Sequence, residues 1–228
     1  ARELNQILTE AAAENDDSLM ELYFDKGVLT QDEMRKGLKF GLAKRDLIPV
    51  FCASGKRDIG AKRLMEFIIN VAPGPLEAPA FKTVDGKEVL ADSSAPTSLF
   101  VFRSSVEPHL GEMTYFRVVS GKVTEGMELI NTKTGNKEKI SQLFAVAGKG
   151  RVKVTEMEAG DIGCTVKLKG TKTNQTLAAP GFDVEYEPIR FPDPRYRAAV
   201  RSLKTGEDEK LGELLNRAHF EDPTILVE

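Results

Sequence analysis

The chain has 228 residues, with 32 lysines and arginines against 35 aspartates and glutamates and a net charge of −3. Charged residues make up 29% and hydrophobic ones 41%, a globular profile, and the near balance of charge excludes a wholly basic nucleic-acid binder while leaving room for a local basic patch. No apolar run approaches the roughly 20 residues that a membrane-crossing helix needs, and the opening ARELNQILTE has neither the apolar core nor the cleavage site of a signal peptide.

The expected compartment is therefore the cytoplasm, without a membrane partner. Cys52 and Cys164 each sit among apolar or small residues and read as reduced core thiols. His109 and His219 are far apart and lack cysteine or carboxylate partners at ligand spacing, so no metal site is expected.

Residues 1 to 45 read as helical. Leu4, Ile7 and Leu8, then Leu19, Leu22 and Tyr23, form apolar stripes around the polar break Asn15-Asp16-Asp17-Ser18. Gly27 ends the second stripe, and Thr30-Gln31-Asp32-Glu33 fits a capping box, in which hydroxyl and carboxylate satisfy free amides of a first helical turn. Met34, Leu38 and Leu42 continue one face, with Gly37 and Gly41 lowering the helical preference slightly.

Next comes DLIPVFCASGKRDIGAKRLMEFI. Leu47 to Cys52 is a near-continuous apolar run, as in a strand buried on both faces, and Leu64, Met65, Phe67, Ile68 and Ile69 recur at helical spacing. Between them lie the small residues Ala53, Ser54 and Gly55, at the kind of strand-to-helix loop where α/β folds bind ligands. Pro73-Gly74-Pro75 then marks a domain boundary.

Beyond it the period changes to two. Short β-rich runs at Leu99 to Phe102, Thr114 to Val119, Glu128 to Ile130, Lys139 to Phe144 and Cys164 to Leu168 alternate with turn signals such as Ser120-Gly121 and Thr134-Gly135-Asn136. Strands so spaced predict a sandwich or barrel, and a closed barrel is preferred because it leaves no long edge. Phe100, Phe102, Tyr115, Phe116 and Phe144 are its core candidates. Towards the end, Arg195 to Val200 and Thr224 to Val227 read as strands around a helix from Glu207 to Ala218, with Leu211, Leu214 and Leu215 facing inward. A lone β-α-β cannot cover both faces of a sheet, and neither can the single strand at residues 47 to 52, so both ends are expected to be parts of larger domains.

FVFRSSVEPHLGEMTYFRVVSGKVTEGMELIN and EAGDIGCTVKLKGTKTNQTL resemble the second domain of the elongation factor G family of translational GTPases. IRFPDPRYRAAVRSLKTGEDEKLGELLNRAHFEDPTILVE is similar to the start of that family's third domain, and residues 10 to 75 resemble the end of its GTPase domain. The resemblance implies a multi-domain α+β fragment. Residues 1–72 would be the C-terminal part of an α/β GTPase domain, 73–188 a Greek-key β-barrel, and 189–228 the beginning of a ferredoxin-like third domain.

It also implies a role for the loop at Ala53, Ser54 and Gly55, where a backbone amide would meet the guanine oxygen in the intact parent. GTP or GDP with magnesium would bind that parent. No G-x-x-x-x-G-K-[ST], D-x-x-G or N-K-x-D occurs in these 228 residues, so this chain carries no catalytic residue and is expected neither to bind the cofactor nor to hydrolyse GTP alone.

A basic strip, Lys133, Lys137, Lys139, Lys149, Arg151 and Lys153 against the single acid Glu138, is the candidate contact with rRNA of the small ribosomal subunit. Solvated strand faces would give the same pattern. Rival readings are a ribosome-binding paralogue with a protection, release or recycling task, and a complete non-enzymatic RNA-binding or adaptor protein. Self-association through incomplete domains is a further expectation.

Overall fold

The computed structural model describes residues 2–107, 111–148, 150–202 and 206–227. The chain divides into two compact units, Ala1–Pro79 and Ala80–Glu228.

The first unit is helical: α1 (Arg2–Ala13), α2 (Asp17–Lys26), α3 (Gln31–Lys44) and α4 (Ala61–Val71). Local chemistry sets the ends of these helices. The Asp16 carboxylate accepts from the Ser18 and Leu19 amides to start α2, and Gly27, left-handed at φ 72°, closes it. The predicted capping box is present at α3, where the Thr30 hydroxyl accepts from the Glu33 amide and Glu33 accepts from the Thr30 amide at 2.7 Å. Ala12, Leu38 and Val71 form the core with Leu29, Met34, Leu42, Leu47 and Phe67 packed around them. Gly37 is what lets α1 and α3 meet, since a Cβ there would collide with the Ala12 carbonyl oxygen. The stripe Leu4, Ile7 and Leu8 faces solvent rather than this core.

Residues 47–52 differ from expectation. No strand forms: Ile48 is 83% and Val50 88% exposed, and Cys52 is exposed too. A strand exists only through hydrogen bonds to a neighbour, and among the described residues of this unit none runs alongside. Leu47 and Phe51 still find helical partners, Leu47 in the core and Phe51 edge-on to Phe67 at 4.8 Å.

The second unit opens with a small ribbon, β1 (Phe81–Lys82) paired to β2 (Glu88–Val89). Then follow β3 (Ser98–Glu107), β4 (Gly111–Ser120), β5 (Lys122–Thr124), β6 (Glu128–Asn131), β7 (Lys137–Lys139), β8 (Leu143–Ala147), β9 (Gly150–Val154), β10 (Glu156–Glu158), β11 (Ile162–Val166) and β12 (Gln175–Ala178). Eight of them make one antiparallel sheet in the order β7-β6-β12-β3-β4-β11-β8-β9, while β5 and β10 pair separately. Leu129 of β6 and Leu143 of β8 stand near opposite ends of that order yet share one core with Leu99, Val101, Phe116, Val118, Ile140 and Leu177. The sheet is therefore curled into a barrel-type enclosure.

Its hydrogen-bonded ladder does not join β7 to β9, so two short free edges remain among the described residues instead of full closure. The run expected as one strand from Lys139 to Phe144 is two, because Ile140 turns inward and exchanges backbone bonds with Met127 and Gly126. The strand β3 is buried on both faces, with Phe100 and Phe102 packing outward against Tyr186, Val184 and Phe81. Tyr115 and Phe144 join a further cluster around Met113, Cys164 and Val166.

Among its described residues the final segment holds one helix, α5 (Asp208–Glu221). Neither expected flanking strand forms: residues 195–200 and 224–227 carry no ladder, and among the described residues no strand pairs with either. The leucine face of α5 is only half covered, Leu214 being 55% exposed. Its docking is polar instead. Arg217 donates to the Val106 carbonyl at 2.7 Å and Glu221 accepts from the Val106 amide at 3.0 Å, so the two side chains pair with β3 as a neighbouring strand would.

Candidate functional site

The loop of Ala53, Ser54 and Gly55 is a small closed turn. Ser54 and Ile59 exchange backbone bonds, the Ser54 amide donating at 2.9 Å and the Ile59 amide at 3.1 Å, around a single 3-10 turn at Gly55–Arg57. Gly60, at φ 78°, sends the chain into α4. Ala53 and Gly55 are exposed. The Ser54 amide is thus engaged within the loop, while the Gly55 amide donates to no other backbone group among the described residues. A Cβ at Gly55 would meet nothing within 4 Å and its φ is not left-handed, so this position does not require glycine.

The sequence strip divides on the sheet. Lys137 and Lys139 lie on edge strand β7, Arg151 and Lys153 on the opposite edge strand β9, and Lys133 in the turn after β6. Lys149 and the histidine His109 lie outside the described residues. Arg151 is held by Glu107 at 2.9 Å and Lys153 by Glu125 at 2.8 Å. Lys133, Lys137 and Lys139 are exposed and form no ion pair among the described residues.

Glu138, the one acid of that strip, is no surface counter-charge. It is 1% exposed, and its carboxylate accepts from the Lys169 amide at 2.8 Å, the Gly170 amide at 3.0 Å and the Thr171 hydroxyl at 2.9 Å. Asn131, wholly buried, donates to Thr171 and to Gln175 and accepts from the Lys133 and Thr134 amides. Gln175 in turn accepts from the Lys172 amide at 2.8 Å. One buried polar network therefore shapes two loops, residues 131–136 and 167–174. The sequence held a clue in the parity of Glu138, which shares a strand face with the buried Ile140 while Lys137 and Lys139 take the other.

A second buried network joins the Ser98, Ser120 and Tyr186 hydroxyls at 2.6 Å each, with Ser120 donating to the Pro96 carbonyl. Burial pushes the Tyr186 phenol up, opposed by these hydrogen bonds. It also raises the Cys164 thiol to about 11, which leaves it a neutral packing group. His219 places Nδ1 against the Ile225 carbonyl at 2.6 Å. Among the described residues no group of three or more histidine, cysteine or carboxylate side chains is placed to hold a metal, and no helix is long and apolar enough to cross a membrane.

The strands from β3 to β12, with the loops just described, fall within residues 96–179, and these match the family of elongation factor G domain 2. The barrel is of the elongation factor G domain 2 type. A solved structure from Thermus thermophilus superposes on 96% of this chain with a TM-score of 0.77 and 27% sequence identity. The chain spans about a third of that structure's length, 31%. The network of Glu138 and Asn131 lies within the residues that match domain 2.

Proposed function

We propose that this chain is the central stretch of a translation elongation factor of the elongation factor G type, whose longer protein uses GTP on the ribosome to move tRNA and mRNA. The observation that carries this reading is the domain 2 match over residues 96–179. The superposition on 96% of this chain and 31% of the matched structure supports reading the residues on either side of the barrel as parts of one longer protein. In this reading the first unit contributes the end of a GTPase domain, and α5 opens a third domain.

The guanine side of the pocket falls to Ala53, Ser54 and Gly55. The loop fits this role: among the described residues the Gly55 amide has no backbone partner, and the small exposed loop lets a flat base approach closely. Phosphates and magnesium would be held by residues other than these 228, since no phosphate-cradling motif occurs among them. The barrel's task is then mechanical coupling between the nucleotide state and the ribosome, in the cytoplasm.

GTP turnover and toeprinting test this. The 228-residue chain should leave the GTPase background of ribosomes unchanged. The longer protein should hydrolyse GTP only with ribosomes and advance the toeprint by one codon. Ribosome-stimulated turnover without that advance would favour a recycling or protection task and overturn translocation. Turnover by the chain alone would overturn the assignment of the phosphate site to other residues.

A further inference from the structure

We infer that Arg103, Tyr115, Arg117 and Ile162 form a docking face on the outside of the barrel for an extended acidic segment of a partner protein, one with carboxylates two residues apart. This face is built on β3, β4 and β11, not on the lysine strand β7, and it does not depend on the ribosomal reading above. A bulge brings the two arginines together. Phe100 pairs with Arg117 and Val101 with Phe116, so regular alternation would set Phe102 opposite Tyr115; the ladder skips one residue of β3 and brings Arg103 there instead.

Arg103 lies over the Tyr115 ring at 5.6 Å, Arg117 lies over the Phe81 ring at 4.9 Å, and Ile162 stands opposite Arg117 in the ladder. What marks this face is charge without a counter-charge. Arg117 is half-buried, and its Nε is buried with no acceptor among the described residues, whereas buried charged groups are ordinarily paired. Neither Arg103 nor Arg117 forms an ion pair among the described residues, although Arg151 and Lys153 on β9 both do. Asp161, next to Ile162, directs its carboxylate to the Glu158 amide at 2.9 Å. Ile162 itself is 59% exposed. Two uncompensated guanidinium groups, each stacked on an aromatic ring, thus stand beside an uncovered apolar side chain.

A guanidinium stacked on a ring keeps its N–H edge for a planar acceptor, and a carboxylate meets that edge with two parallel bonds. Alternate side chains on one side of an extended chain stand about 7 Å apart, the same step that separates Tyr115, with Arg103 over it, from Arg117 on β4. Carboxylates on flexible stems reach a recessed group such as Arg117, and the carbon atoms of the same segment can cover Ile162. A nucleic-acid duplex presents regularly spaced phosphates without apolar groups, which would leave Ile162 and the buried Nε unmet.

Fluorescence anisotropy with a short labelled peptide of alternating glutamate and valine tests this. The 228-residue chain should bind that peptide, and the same peptide with glutamine in place of glutamate should not compete. R103Q/R117Q should bind roughly ten-fold or more weakly with its melting curve kept. Arg103→Gln alone, at the exposed side chain, should bind several-fold more weakly, so the test survives if the double variant unfolds. R103K/R117K should also lose affinity, because ammonium groups supply charge without the bidentate edge. Equal binding by the lysine variant would reduce the contact to general charge attraction and overturn the face. No saturable binding of the glutamate peptide, or its displacement by a short RNA duplex at lower concentration than by unlabelled peptide, would overturn it as well. So would sedimentation showing an arginine-dependent dimer, which would give the face to a second copy of this chain.

Discussion

At the scale of single residues, Glu138 shows how a charge can be structural. Replacing it with alanine leaves two loop amides and a hydroxyl without their acceptor. Hydrogen bonds to charged groups contribute about 1.5–3 kcal/mol each and buried orphans cost as much again, so Glu138→Ala should lose on the order of 3 kcal/mol in urea denaturation. A loss under about 1 kcal/mol would mean the network is dispensable. Phe116, fully buried at the centre of the barrel, should cost about 3–5 kcal/mol as alanine, read in the same assay. The thiols divide by environment: Cys52 should react with a maleimide in the native protein, and Cys164 only after unfolding. Because the folded Cys164 pKa is raised to about 11, the unfolded chain gives up that proton first as pH climbs. The folded state then binds more protons than the unfolded one, so stability is full below the unfolded thiol pKa and declines as pH rises towards about 11. Denaturation midpoints across that range should fall less steeply in Cys164→Ala.

At the scale of elements, what could be read from sequence was whatever depends on near neighbours. The Thr30–Glu33 box, the Gly27 stop and the spacing of Leu64 to Ile69 are local, and each helix stands where those signals put it. The runs at residues 47–52, 195–200 and 224–227 have strand composition but no strand, because pairing is a property of two segments and only one is legible at a time. Site residues followed the same rule. The exposure of Lys137 and Lys139 was readable from alternation, whereas the burial of Glu138 depends on a hydrogen bond between segments about thirty residues apart in the chain, from the Lys169 amide. The meeting of α1 and α3 gives a test at this scale. Gly37→Ala gains helix propensity but drives a methyl into the Ala12 carbonyl, so overpacking of about 1–3 kcal/mol should prevail and lower the helical unit's melting point. Gly55→Ala, where a Cβ has open space, should leave it unmoved. On β3, Glu221→Ala should speed hydrogen exchange at the Val106 amide while leaving the amides of β4 protected.

At the scale of the whole molecule, the two units differ in how completely they are built. The barrel draws its core from strands throughout its length and has two internal polar networks. Among the described residues of the helical unit the buried hydrophobic side chains are Ala12, Ala13, Leu19, Leu38 and Val71, and an apolar run is left wet. Limited proteolysis should therefore leave a resistant product beginning close to Ala80, identified by mass spectrometry; survival of the helical unit at equal protease would contradict that order. The uncovered run from Ile48 to Val50 has a practical corollary. Side chains that touch only water add nothing to the free energy of this fold, yet they invite sticking between molecules. Ile48→Ser together with Val50→Ser should accordingly leave the melting curve in place while raising the concentration at which the solution turns cloudy.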